Sequence, residues 1–123
     1  MMKKNRQRMT AEEVFNDLSE KYGDSFPWHM FPFSDKGFVI ELKREIDQNH
    51  FLYNRKIWAV AKSDSSDDVL FVTENEYKKD IYYIVHLTYS DDNVKGYPQC
   101  KVLSGIEKVK QYIEETYVMD FVE

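Results

Sequence analysis

The sequence predicts a single α+β domain, an antiparallel β-meander of three to four strands packed against an N-terminal and a C-terminal helix. Three observations predict it. Two segments with helical spacing of apolar residues lie near the chain ends, each opened by a capping-box pattern, Thr10-Ala11-Glu12-Glu13 and Ser104-Gly105-Ile106-Glu107. Between them stand short runs rich in Ile, Val, Tyr and Trp, separated by polar and acidic turns. The 123 residues, 42% of them hydrophobic, suffice for one core without disulfides or metal, and no linker or repeat divides them.

Residues 1–9 have no periodicity and read as a frayed, disordered basic tail ahead of one domain over residues 10–123. From about 11 to 22, Val14, Phe15, Leu18 and Tyr22 fall on one helical face, and Gly23 is a natural stop. Residues 24–34 are rich in aromatic side chains, and Pro27 and Pro32 forbid a regular helix or a central strand there. Such a segment either crosses the core as an extended cover or lines a groove or interface. The second reading makes Phe26, Trp28, Phe31 and Phe33 candidate binding residues.

Residues 38–46 admit both periods, but a helix gathers Phe38, Val39, Leu42 and Ile46 into one stripe and misplaces only Ile40. Glu41-Leu42-Lys43-Arg44-Glu45 are strong helix formers, and Ser34 or Asp35 supplies a cap. Helix is the expectation. Strands follow over 56–62, 69–73 and 81–89, with a short one over 99–103, and a final helix is expected from Ile106 with Val109, Ile113 and Tyr117 inward. The helices are expected to cover one face of the sheet, and Trp58 to lie in its core.

Charge and composition narrow the function. The net charge is −5, but Lys3, Lys4, Arg6 and Arg8 crowd the first eight residues; without them 13 basic residues face 22 acidic ones. An acidic body repels phosphate backbones, so nucleic-acid binding is not expected. A lone Cys100 makes no intrachain disulfide, and no apolar run spans a bilayer, so the chain reads as cytosolic and not membrane-bound. Four scattered glycines build no phosphate loop. One Cys and three separated His are a poor zinc supply, and the acidic turns lack the ligand alternation of a calcium loop. No metal or cofactor is implied.

Strand parity points to one constellation. Pairing the 69–73 and 81–89 strands with Thr73 opposite Ile81 places Asp68 opposite His86. Across the preceding turn it sets Lys62 beside Asp68, with Thr88 nearby on the same face. A carboxylate next to an imidazole orients the ring and favours its charged form, which is the geometry of a general base with its partner. It is equally the geometry of a structural hydrogen bond between two half-buried polar groups. Cys100 has no local activator, and no serine sits in a nucleophile motif.

Phe38 to Ile46, His50 to Tyr53, Ser66-Asp67-Asp68-Val69-Leu70-Phe71 and Ile84-Val85-His86-Leu87-Thr88-Tyr89 together resemble a group of small bacterial proteins. That group carries F-x-x-E-L-x-x-E, G-H-x-L-Y, D-D-V-L-F and V-H-L-T-W patterns. Asn49 stands where the pattern has Gly, and Tyr89 where it has Trp. The resemblance implies a bacterial domain, singles out His50, Asp67, Asp68 and His86, and carries no activity. The leading expectation is therefore a non-catalytic protein-binding module for another protein, a basic one by charge, in an immunity-protein-like or accessory role. The alternatives are a small hydrolase or transferase using Asp68 and His86 with His50, and a structural homodimer subunit.

Overall fold

A computed structural model of the chain describes residues 10–73, 81–90 and 98–121. The expected tail over 1–9, the charged loop over 74–80 and nearly all of the loop over 91–98 lie outside the described residues.

The fold is the expected α+β domain. Helix α1 (Ala11–Tyr22) opens with the capping box intact: the Glu13 amide donates to Thr10 Oγ1 at 3.1 Å and the Thr10 amide to Glu13 Oε1 at 2.8 Å. Its stop is Gly23, whose φ of 72° suits a residue without Cβ. Removing a cap hydroxyl typically costs about 1 kcal/mol, so Thr10→Ala should lower the unfolding free energy by about that amount, read as a lower urea midpoint at unchanged slope. An unchanged midpoint would mean that α1 is held by packing alone.

Among the described residues five antiparallel strands follow in simple order: β1 (Trp28–Met30), β2 (Ile57–Ser63), β3 (Asp68–Thr73), β4 (Ile81–His86) and β5 (Gln99–Ser104). One strand more is present than expected, because the aromatic segment contributes three residues to the edge of β2. Its flanking Pro27 and Pro32 keep it that short. Helix α2 (Gly37–Glu45) occupies the ambiguous segment, with Asp35 Oδ1 accepting from the Gly37 amide and Ile40 left 67% exposed. Helix α3 (Ile106–Phe121) closes the chain.

Helices cover both faces, not one. On the first face Val14, Phe15 and Leu18 of α1 and Val109, Ile113 and Tyr117 of α3 pack on Val60, Leu70, Val72, Tyr82 and Ile84. On the second, Leu42 and Ile46, with Leu52 from the turns after α2, pack on Ala59, Val69, Phe71, Tyr83 and Val85. A sheet buried on both sides needs unbroken apolar strands, which is what Val69 to Val72 and Tyr82 to Val85 are.

Trp58 departs from expectation. It is only partly buried at the margin of the first core, its indole stacked on the exposed ring of Phe33 at 6.1 Å. The register between β2 and β3 shifts between Ala59 and Ala61, so the strand carries one residue more than its partner there.

Candidate functional site

The β3–β4 register is the one parity implies, from Thr73 opposite Ile81 through Leu70 opposite Ile84 to Asp68 opposite His86. At the end of this ladder His86 Nδ1 lies 2.9 Å from Asp68 Oδ1. Both side chains are on the α3 face but beyond the core, partly open to water.

Two expected members are absent from the row. The β2 bulge advances Lys62 by one position, so it pairs with Val69 and turns to the opposite face. There its ammonium donates to the carbonyls of Ser63 and Ser66. Thr88 is lost because β4 ends at His86, not at Tyr89. The Leu87 amide still reaches the Asp67 carbonyl at 3.1 Å, but Tyr89 has a φ of 55° and carries the chain away. In place of Lys62 and Thr88 the row continues across the sheet to Gln99, opposite His86 on β5.

That turn away from the sheet is organised by Glu45, which is 4% exposed. Its carboxylate accepts from the Thr88 amide at 2.7 Å, the Thr88 hydroxyl at 2.9 Å and the Tyr89 amide at 2.8 Å. Burial works against its charge, yet a hydrogen bond with Glu41 and the Thr88 and Tyr89 donors outweigh it and hold the carboxyl below its ordinary range. Arg44 adds a bond to the Ser90 carbonyl at 2.8 Å. The E-L-x-x-E and H-L-T-Y stretches thus meet as clasp and turn.

His50 reaches the site from the second face. Lys43 Nζ donates to the carbonyls of Leu52 and Arg55 at 2.9 and 3.0 Å, and to that of Tyr53, folding the turns after α2 back onto the helix. Phe51 thereby packs on Tyr83 at 5.6 Å, and the His50 ring stacks on Phe51 at 4.7 Å. Burial lowers the His50 pKa, with Asp47 opposing, so the ring is neutral at pH 7.

His50, Asp68 and His86 line one open groove of about 640 Å³, together with Phe51, Gln99 and Lys101. The Lys101 ammonium lies 5.1 Å from the centre of the Tyr112 ring, also in the wall. Cys100 is there too, but burial pushes its thiol up to about 11, leaving it protonated and unreactive. Among the described residues no group of three or more His, Cys, Asp or Glu side chains is placed to hold a metal ion.

The candidate binding residues divide. Phe26 and Trp28 are core, 4% and 8% exposed, with Trp28 against Phe15 and Phe26 against Tyr117. Neither can meet a partner, because α1 and α3 lie over both. Phe31 is partly buried against Phe38, and Phe33 remains half exposed over Trp58. Asp67 is exposed beside the dyad. His29 pairs with Asp64 at the β1 edge, away from the groove. Sequence reasoning missed Gln99 and Lys101, whose placement needs the β4–β5 register, and Glu45, which has a local signal. It lies three residues after Leu42 and one before Ile46, a carboxylate inside an apolar stripe.

Each imidazole has one nitrogen committed. The Leu52 amide donates to His50 Nδ1 at 3.1 Å, so the hydrogen of neutral His50 is on Nε2. His86 Nδ1 faces a carboxylate, so the hydrogen of a neutral His86 ring is on Nδ1, where Asp68 accepts it. Asp68→Ala should return neutral His86 toward the Nε2–H form, read from long-range proton–nitrogen NMR correlations. An identical tautomer in parent and variant would show that Asp68 does not set it.

No family model, curated protein or solved structure matches the chain. No helix among the described residues is long and apolar enough to cross a membrane.

Proposed function

We propose that the chain is a non-catalytic protein-binding module of a bacterial cytosol, with an immunity-protein-like or accessory role, and that the groove is its recognition surface. One observation carries this reading. The groove gathers His50, Asp68, His86, Gln99 and Lys101, yet the only thiol among its described walls is held protonated. Such a set is rich in hydrogen-bonding groups and has no activated nucleophile. The acidic body, net −5, favours a basic partner by long-range attraction.

The test is affinity capture from source lysate, followed by reconstitution with the purified partner. A stable complex that weakens with salt is expected. A chain that captures nothing in repeated trials would overturn the reading.

A second reading rests on the 2.9 Å Asp68–His86 contact, which leaves His86 Nε2 facing the groove. A small hydrolase would use that nitrogen to take a proton from water, with Asp68 orienting the ring. Turnover of a simple aryl ester that disappears in His86→Ala would favour it, and equal rates in parent and variant would discard it.

A further inference from the structure

The turns after α2 are held shut from two sides. Lys43 Nζ grips the Leu52, Tyr53 and Arg55 carbonyls from the helix. From the groove side, His50 Nδ1 accepts from the Leu52 amide at 3.1 Å. Among the described residues that amide has no other acceptor. It is not free to turn toward water, because the Leu52 side chain is fully buried with Leu42 and Ile46. The His50 main chain is committed as well, its amide donating to the Asp47 carbonyl and its carbonyl accepting from the Tyr53 amide, both at 3.0 Å. The ring then carries the wall of the groove: His50 stacks on Phe51 at 4.7 Å, and half-exposed Phe51 packs on Tyr83 at 5.6 Å.

A ring nitrogen accepts a hydrogen bond only while it holds no proton. Neutral His50 has its hydrogen on Nε2, so the next proton must go to Nδ1. That sets two donors face to face and strands an amide at the edge of the core. The charged ring has a second seat. Asp47 attracts it from three residues back, its Oδ1 meanwhile accepting from the Asn49 amide. The other charged groups are Lys43 on α2 and Arg55 at the end of the turns, with Asp68, His86 and Lys101 in the groove, where the Cys100 thiol is neutral. Burial outweighs Asp47 and lowers the His50 pKa, so the bonded, neutral form is the one present at pH 7.

We infer that His50 is an acid-operated latch on one wall of the groove. Neutral, it holds the turn closed and Phe51 in place. On taking a proton from water at Nδ1 it releases the Leu52 amide, moves toward Asp47 and frees Phe51 from Tyr83. The bearing of this opening on recognition rests on the binding reading above, whereas the latch itself does not. Because the folded pKa is lowered, the stabilisation is fully present above the unfolded histidine value of about 6.5 and is lost as pH falls through the lower folded value.

The test is an NMR titration of the isotope-labelled full chain from about pH 7.5 to about pH 5, above the range of ordinary glutamates, with circular dichroism to show the fold intact. His50 Nδ1 should pass from bare to protonated with a midpoint below about 6.5. At the same midpoint the Leu52 amide should shift and lose about tenfold in exchange protection, the value of one good hydrogen bond, and Phe51–Tyr83 proton contacts should weaken. His50→Asn keeps an acceptor for that amide but takes up no proton, so the turn should stay closed over the whole range. His86→Ala removes the other groove imidazole and should leave the Leu52 transition in place. A Leu52 amide that keeps its protection while His50 titrates would overturn the inference. So would a transition that persists in His50→Asn or vanishes in His86→Ala, or a His50 midpoint at or above about 6.5. A partner that binds equally at both ends of a range over which the latch is seen to open would leave the latch standing and remove the groove as the recognition surface.

Discussion

Phe71→Ala is expected to cost about 3–5 kcal/mol, a large part of what holds a domain of this size together. Phe71 is fully buried, the bulkiest such side chain among the described residues, and sits in the middle of β3 on the α2 face. Its sheet neighbours are Ala59 and Tyr83. Ala59 is too small to close over the space left behind, so the lost contacts and the cavity add together. The consequence extends to the groove, because Tyr83 carries Phe51 and Phe51 carries His50. Urea unfolding gives the stability, and the His50 ring signal should broaden or move in the variant. Trp58→Ala is the control. Partly buried at the margin of the first core and stacked on Phe33, Trp58 should cost only about 1–2 kcal/mol despite its greater size. Equal losses at the two positions would show that depth in the sheet does not govern stability here.

That control marks where the sequence is ambiguous. A tryptophan between Ile57 and Val60 reads as core because local pattern does not record where a strand lies relative to the ends of its covering helices. Helix α1 and the Asp68–His86 pairing were legible for a physical reason: a capping box and strand parity are local or nearly local codes. The bulge at Val60 was not, because an extra residue in one strand has no signature when every candidate is apolar, and that one residue sent Lys62 to the other face. The second helical layer had a signal in hindsight. Runs as continuous as Val69 to Val72 and Tyr82 to Val85 are too apolar for a sheet with one wet side. The aromatic segment was half legible. Prolines fixed its edge position, but which rings turn inward depended on where α1 and α3 settle, and Phe26 and Trp28 proved to be theirs. The groove was the least legible part, since it joins His50 from a turn to Asp68 and His86 on strands across the edge of β5.

Glu45→Ala should cost about 2–4 kcal/mol, and its effect should depend on pH in a defined direction. The substitution strands the Thr88 and Tyr89 amides and the Thr88 hydroxyl, and a buried polar group left without a partner costs about 1–3 kcal/mol. Rehydration of the opened site returns part of that. Tyr89 makes the site sensitive, because its left-handed backbone is held against an intrinsic cost of order 1 kcal/mol by the same carboxylate. Glu45→Gln, with one acceptor oxygen in place of two, should fall between parent and alanine. The folded-state pKa of Glu45 is lowered, so the folded protein keeps the charge to lower pH than the unfolded chain does. Its stabilisation is therefore fully present above the unfolded glutamate value of about 4.3 and is lost as pH falls through the lower folded value. Chemical denaturation between pH 7 and about pH 3 should show the parent losing stability on the acid side, with a shallower loss in Glu45→Ala. Parallel curves would mean that Glu45 does not titrate as the clasp. Loss of groove binding in Glu45→Ala, at a pH where the variant is still folded, would show that the clasp also holds His86 in place at the end of β4.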